Sequence, residues 1–248
     1  MFYPKGLTHA KELGFASRQL TAIEINGTYY GAQKPESFER WRDEAPDGFV
    51  FAVKGPRFTT NRRVLAEAGA SMERFITGGV TRLGAKLGPI NWQCLPTKTF
   101  DPDDFAAFLA LLPQSHDGGV TLRHVVEVRH PSFRVPAFID LLRHYGVATA
   151  LTDHPDFPQI PDLTAPFAYA RLQNTTQDCA TGYPVETLER WATRAATYAG
   201  GSVPEDFEPV SPKQPRKAPH DVFVFMIAGH KPHNPAAAMA MLNALPDL

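Results

Sequence analysis

Residues 21–30 read Thr21-Ala22-Ile23-Glu24-Ile25-Asn26-Gly27-Thr28-Tyr29-Tyr30. The β-branched and apolar residues predict a short β-strand that ends at a glycine turn. Side chains alternate between the two faces of a strand, so Glu24 and Asn26 are expected on one face. A carboxylate and an amide on an apolar strand are costly to bury unless they are paired. The strand therefore indicates a place where polar chemistry is expected.

The same pattern predicts six more strands along the chain, each followed by a helix. These predicted strands are residues 49–54, 87–94, 125–130, 147–153, 167–173 and 221–227. They are apolar on both faces, as parallel strands covered by helices should be. Such regular alternation predicts an α/β fold with a parallel sheet, either doubly wound or closed into a barrel.

The composition sets further limits. A chain of 248 residues with 43% hydrophobic residues can form one large α/β domain or two smaller ones. The proline-rich residues 200–220 predict a surface loop and not a linker, so a single domain over residues 1–248 is expected. The net charge of −1 provides no global basic field for nucleic acid or anionic membrane.

Cysteine use and hydropathy indicate the compartment. Cys94 and Cys179 form no Cys-x-x-Cys pair, which favours a reducing environment. No apolar run is long enough for a signal peptide or a bilayer span. A cytoplasmic protein without membrane contact is therefore expected.

Charged and polar side chains recur at the carboxyl-terminal ends of the predicted strands. They are Glu24, Asn26, Lys54, Glu127, Arg129, Asp153, Arg171 and Gln173. In a β/α barrel these ends form the rim where active sites lie. The set predicts either a ligand site or a salt-bridge network that only caps the barrel mouth. We favour the ligand site, because six charged residues lie at five separate strand ends.

Other polar groups are weaker candidates. Arg57, Arg62 and Arg63 follow the Lys54 strand and either bind phosphate or form a solvated face. His130 and His154 lie just past strand ends, as acid–base groups or ligands or as loop residues bonded to backbone. The sequence contains no phosphate-binding loop, dinucleotide fingerprint or nucleophile motif. It indicates no particular cofactor and no metal site.

Six motifs, in this order, resemble those of the domain of unknown function 72 family. They are Phe2-Tyr3-Pro4-Lys5-Gly6, Glu24-Ile25-Asn26-Gly27-Thr28-Tyr29-Tyr30, Phe51-Ala52-Val53-Lys54, Lys86-Leu87-Gly88-Pro89-Ile90, Val126-Glu127-Val128-Arg129-His130 and Tyr169-Ala170-Arg171. The resemblance covers almost the whole chain. It implies a TIM-type β/α barrel in a bacterial or archaeal cytoplasmic protein, and it implies no activity.

The chain departs from the family pattern at three places. Members of the family usually open with a strand that contains a Gly-x-Gly-Trp-like motif, which is absent ahead of Phe2-Tyr3-Pro4. This explains a count of seven strands and predicts a truncated start, or a gap filled by residues 1–6 or by a partner chain. Thr60-Asn61 and Gln173 replace a Thr-His pair and a histidine, so no histidine role is carried over there.

The leading hypothesis is an enzyme that acts on a small anionic metabolite, such as a phosphorylated or carboxylated sugar or nucleoside. Its chemistry would be acid–base catalysis by carboxylates at the rim. Glu127 or Glu24 is the expected general base, with Asp153 orienting it. The predicted catalytic residues are Glu24, Glu127 and Asp153, and the predicted substrate-binding residues are Asn26, Tyr29, Lys54, Arg129 and Arg171.

The alternative hypothesis is a non-catalytic module that binds a ligand or nucleic acid. It would use the same rim together with the Arg57–Arg63 loop. A steep loss of affinity with rising salt would distinguish nucleic-acid binding from metabolite binding. The sequence disfavours nucleic acid as the main partner because the net charge is −1, and it does not define an oligomeric state.

Overall fold

The computed structural model describes residues 2–116 and 119–246. The chain forms two compact units. The first unit is Lys5–His130, and the second contains Pro131 onwards together with the N-terminal residues up to Pro4. The predicted single domain over residues 1–248 stays a prediction, and residues 1, 117, 118, 247 and 248 of that range lie outside the described residues.

Four parallel strands joined in chain order form the sheet of the first unit. They are β1 Ala22–Ile25, β2 Val50–Lys54, β3 Leu87–Gln93 and β6 His124–Glu127. A short antiparallel pair, β4 Ser115–His116 and β5 Val120–Thr121, lies between β3 and β6 in the chain and was not predicted. Every residue of β3 is buried, as expected for a parallel strand that is covered on both faces.

The helices of the first unit begin where the sequence supplies suitable first turns. They are α1 Glu12–Ala16, α2 Gly27–Tyr30, α3 Pro35–Glu44, α4 Arg57–Thr60, α5 Gly69–Thr77 and α6 Pro102–Ala110, with 3₁₀ turns at His9–Lys11, Leu65–Ala68 and Val80–Lys86. Pro35 occupies the first turn of α3, where its fixed φ suits the helix. Asp101 caps α6 by accepting hydrogen bonds from the backbone N–H groups of Asp103 and Asp104.

The second unit contains three parallel strands, also paired in chain order. They are β7 Ala148–Thr152, β8 Phe167–Leu172 and β9 Asp221–Met226; the helices are α7 Pro136–Tyr145, α8 Val185–Ala199 and α9 Asn234–Asn243, with 3₁₀ turns at Pro131–Phe133 and Lys231–His233. Leu188, Trp191 and Ala195 recur at helical spacing on one face of α8, and all three are buried. The apolar core of this unit packs around that face.

The prediction that every strand is followed by a helix is wrong after β7. Residues 153–166 form no helix or strand. Three of their four prolines, Pro155, Pro158 and Pro161, lie close together, and proline lacks the backbone N–H that a helix interior needs. The segment is instead fixed by side chains, since Tyr198 donates to the carbonyl of Pro161 and Asp162 accepts from the backbone N–H of Ser211.

Residues 201–220 also form no helix or strand, as predicted for the proline-rich loop. The loop is anchored by the buried Asp162, which accepts from the N–H groups of Val210 and Ser211. The remaining alternation of parallel strands and helices matches the sequence. The predicted fold class, α/β of the TIM-type barrel kind with seven parallel strands in the described residues, is confirmed.

Candidate functional site

One face of the first unit's sheet collects the polar residues of four strands. Register pairs Glu24 with Ala52, Lys54 with Asn91, and Gln93 with Glu127. Paired residues of parallel strands project to the same face, and so do residues two apart on one strand. Glu24, Lys54, Asn91, Gln93 and Glu127 therefore share one face, towards the carboxyl-terminal ends of their strands.

Lys54 is a buried cation with only 5% of its surface exposed. Its Nζ donates to Oε1 of Gln93 at 2.6 Å. The same ammonium lies 4.2 Å from the centre of the Tyr29 ring, within cation–π range. Two neighbours thus fix the position of the charge. The structure brings together Tyr29 and Lys54, both predicted as substrate-binding residues.

Glu127 is a buried carboxylate, 2% exposed, that contacts a predicted cation. Its Oε1 accepts two hydrogen bonds from Arg129, from Nε at 2.9 Å and from Nη2 at 2.7 Å. Its Oε2 accepts from Nδ2 of Asn91 at 3.1 Å. Charge-assisted pairing of this kind offsets the cost of burying the carboxylate. Glu127, Arg129 and Lys54, which were predicted from two strand ends, therefore belong to one polar cluster.

Asn91 and Gln93 connect that cluster, and neither was singled out from the sequence. Asn91 is fully buried, and its Oδ1 has no hydrogen-bond partner in the part of the chain that the structure describes. A buried acceptor without a partner costs about 1–3 kcal/mol. Polar and apolar residues alternate at the end of β3. Because Asn91 and Gln93 lie two residues apart, this alternation could have predicted both amides on one face of the strand.

Glu24 and Asn26 differ in their surroundings. Glu24 is buried on β1, whereas Asn26 is exposed. The prediction that they share a face is wrong, because β1 ends at Ile25 and Asn26 already has helical dihedral angles. Strand alternation stops where the backbone turns helical. Asn26 precedes α2, and its predicted substrate-binding role stays a prediction.

Asp153 lies just after β7 in the second unit, and both of its oxygens accept short hydrogen bonds. Oδ1 accepts from the backbone N–H of Gln173 and Oδ2 from the Tyr183 hydroxyl, each at 2.6 Å. Burial raises the pKa of the Asp153 carboxyl, and these two bonds act against that rise. Tyr183 was missed by the sequence analysis because 30 residues separate it from Asp153.

Arg171 lies in β8 of the second unit and Gln173 directly follows that strand, and both are buried. Arg171 pairs in register with Thr152 of β7 and Phe225 of β9. Gln173 donates through Nε2 to Oγ1 of Thr152 at 2.7 Å. The residue at the family's histidine position therefore fixes the end of β7. The anion-binding role of Arg171 stays a prediction.

Residues 2–116 and 119–246 contain neither a metal-binding group nor a membrane-spanning helix. No three His, Cys, Asp or Glu side chains in this part are grouped so that they would hold a metal ion. His130 and His154 therefore belong to no such group. No helix in the same residues has the length and apolar character required to cross a bilayer.

Parallel strands that alternate with helices define a β/α-barrel protein, and the strands of the first unit bury charged groups at their carboxyl-terminal ends. The chain belongs to the family described as "Protein of unknown function DUF72", whose sequence model matches residues 1–247. The resemblance found in the six motifs is thereby confirmed.

Two curated relatives are both called UPF0759 protein YecE, one from Escherichia coli strain K12 and one from Escherichia coli O157:H7. Each is 33% identical to this chain over 131 residues, which are 52% of this chain and 44% of the relative. The chain thus spans less than half the length of the curated relatives that it matches.

Solved structures of similar fold include two DUF72 family proteins. The protein from Enterococcus faecalis V583 has a TM-score of 0.70 at 15% identity, covering 95% of this chain and 94% of that chain. The protein from Thermotoga maritima MSB8 has a TM-score of 0.68 at 19% identity, covering 97% and 90%. At these identities the likeness establishes the fold alone.

Proposed function

We propose that this protein is an enzyme acting on a small anionic metabolite, a phosphorylated or carboxylated sugar or nucleoside, by carboxylate acid–base chemistry. The observation that carries the proposal is the buried Glu127 carboxylate, which is held between Asn91 and Arg129 on the same face as the buried Lys54. Buried charged groups are expensive, and active sites are where proteins retain them.

Glu127 is the proposed general base. A general base needs an acceptor oxygen of fixed direction, and hydrogen bonds from Arg129 and Asn91 fix both oxygens. Glu24, buried on the same face, is the second carboxylate proposed for proton transfer. Two carboxylates can divide into acid and base where their surroundings separate their pKa values.

Lys54 and Arg129 are the proposed anion-binding residues. Lys54 offers a compact charge that Gln93 and Tyr29 hold in place, so little reorganisation is needed when an anion arrives. Arg129 is less buried than Glu127, with 18% of its side chain exposed, and it offers the planar donor set that matches phosphate and carboxylate. The unpartnered Oδ1 of Asn91 would accept a hydrogen bond from a substrate hydroxyl.

The experiment is a thermal-shift screen with phosphate, sulfate and a panel of sugar phosphates at constant ionic strength, followed by turnover assays on every hit. A ligand at 100 times its Kd should stabilise the folded state by about 2.7 kcal/mol. Arg129→Ala and Lys54→Met should abolish that stabilisation. Glu127→Gln should keep part of it and lose turnover, because the amide cannot accept the proton.

Two residues provide matched controls. Arg194 binds one oxygen of Asp206 through Nε and Nη2, with the same geometry as Arg129, but does so on α8. Lys86, directly before β3, donates to the backbone carbonyls of Arg42 and Ala45 at the end of α3. Arg194→Ala and Lys86→Met should leave the ligand response intact. Equal responses from Arg129→Ala and Arg194→Ala would favour a salt-bridge network without a ligand.

A further inference from the structure

Two large aromatic side chains stand exposed at neighbouring strand ends of the first unit. Tyr30 at the end of α2 is 67% exposed, and Phe58 in α4 is 63% exposed. The helices α2 and α4 directly follow the adjacent parallel strands β1 and β2. A single exposed apolar residue is ordinary, but two exposed rings that follow adjacent strands are a candidate contact surface.

The same edge carries cations without matching carboxylates. Residues 55–66 contain Arg57, Arg62 and Arg63 and no Asp or Glu. In the described part of the chain none of these three arginines forms an ion pair. The guanidinium of Arg57 lies 5.3 Å from the centre of the Phe58 ring, and Nε of Arg62 donates to the Phe58 carbonyl at 2.9 Å. Two arginines therefore lie next to Phe58, one near its ring and one at its backbone.

Buried hydroxyl groups anchor the two short helices that present these rings. Thr28 of α2 donates to the carbonyl of Lys54 at 2.7 Å, and Thr60 of α4 donates to the carbonyl of Gln93 at 2.5 Å. The anchored residues are buried while Tyr30 and Phe58 point outward. A partner that stacks on the rings would thus meet side chains on a fixed backbone, which lowers the entropic cost of binding.

We propose that this edge, formed by Tyr30, Phe58, Arg57, Arg62 and Arg63, binds single-stranded nucleic acid. Exposed aromatic rings stack on unpaired bases without sequence preference, and arginines beside them neutralise the phosphates. Arginine suits this role better than lysine, because its planar group both stacks and donates in pairs to phosphate. All three cations here are arginines. The residues differ from those of the proposed enzyme site, so the two proposals stand or fall separately.

The test is fluorescence anisotropy of the full chain with labelled oligo(dT) and oligo(rU) of about 15 nucleotides, within the range of common binding sites. Tyr30→Ala and Phe58→Ala should each weaken binding about tenfold. Each arginine-to-alanine variant should reduce the slope of log affinity against log salt by about 0.7. An unlabelled duplex should compete far less well than a single strand.

Matched controls lie in the second unit. Val185 is an exposed apolar residue, 56% exposed, and Arg216 is an exposed arginine of the proline-rich loop. Val185→Ala and Arg216→Ala should bind like the unaltered protein. All variants at exposed side chains should keep its melting temperature, and Arg62→Ala, at a half-buried side chain, should lower it only slightly. No binding at low salt, equal losses in test and control variants, or preference for duplex or anionic vesicles would each overturn the proposal.

Discussion

The indole N–H of Trp92 donates a hydrogen bond to Nδ1 of His124 at 3.1 Å, and both residues are buried. An indole nitrogen can only donate, so Nδ1 is the acceptor and the proton of the neutral imidazole lies on Nε2. That nitrogen donates to the carbonyl of Pro113 at 2.7 Å. Burial lowers the pKa of His124 to about 4, against the action of the Pro113 bond.

The first prediction concerns acid stability. The pKa of His124 is depressed in the folded state, so the unfolded chain binds more protons than the folded one between its ordinary value near 6.5 and about 4. The free energy of unfolding that neutral His124 contributes is complete above that pH range. As the pH falls through the range, about 3 kcal/mol of it is lost. Urea unfolding at about pH 7 and about pH 4.5 measures the loss.

His124→Asn is the matched test of this assignment, because the amide oxygen can still accept from Trp92 but does not titrate. The variant should unfold more easily at neutral pH and should lose less of its remaining stability on acidification. His9→Asn, at a side chain that is 97% exposed, should keep the slope of the unaltered protein. A full pH slope in His124→Asn would contradict the assignment.

The second prediction concerns thiol reactivity. Burial raises the pKa of the Cys94 thiol to about 12, so about one molecule in ten thousand carries the thiolate at pH 8. Cys179 is only half-buried and donates to the carbonyl of Tyr183. A thiol reagent such as Ellman's reagent should therefore modify one cysteine in the folded protein and two in urea. Cys179→Ser should remove the reaction of the folded protein, and a rapid reaction of that variant would contradict the burial of Cys94.

The third prediction concerns the Asp153–Tyr183 pair. The Tyr183 hydroxyl donates to Asp153 and accepts from the backbone N–H of Asn174 at 2.7 Å, so Tyr183→Phe leaves a carboxylate oxygen and an N–H group without that partner. The expected cost is about 1–3 kcal/mol at neutral pH. Tyr145→Phe is the matched control, because the Tyr145 hydroxyl makes no hydrogen bond in the described residues, and it should cost almost nothing.

The pH dependence of Tyr183→Phe has a defined sign. The pKa of Asp153 is already raised by burial, and removing the hydroxyl raises it further. A carboxyl with a raised pKa contributes stability at low pH that is lost as the pH rises through the folded value. The penalty of the variant should therefore be larger at pH 7 than at pH 4, measured as the shift in urea midpoint. A penalty that grows on acidification would contradict this account.

The sequence predicted the positions of the candidate-site residues on their strands better than the hydrogen bonds between them. The strand ends of β2 and β6 placed Lys54 and Glu127 correctly, because alternation within a strand is a local property. The bond from Asn91 to Glu127 spans 36 residues and that from Lys54 to Gln93 spans 39. Such contacts depend on strand register, which a single sequence does not specify.

Errors in the fold prediction have local causes. Asn26 was assigned to the face of Glu24 because the strand pattern gives no warning that one helical turn begins there. The helix expected after β7 is missing because three prolines follow in a short segment, a signal present in the sequence but outweighed by the regular alternation elsewhere. The single turns α2 and α4 were not predicted, since four residues show no helical periodicity.

The last prediction tests the geometry of the candidate site without any ligand. Asn91→Asp would replace a donor that lies 3.1 Å from Oε2 of Glu127 with a second carboxylate. Two carboxylates at that distance cannot both ionise cheaply, so the pair should share a proton and one apparent pKa should rise well above its ordinary value. Near pH 4 the free energy of unfolding of Asn91→Asp should approach that of the unaltered protein. As the pH rises from there to the raised pKa, it should fall below that of the unaltered protein by about 1.4 kcal/mol for each pH unit.

The double variant Asn91→Asp with Glu127→Gln keeps only one carboxylate and should lose this extra pH dependence. Parallel stability curves for the unaltered protein and Asn91→Asp would mean that residue 91 and Glu127 are not in contact, and the proposed general base would then lack the bond that orients it.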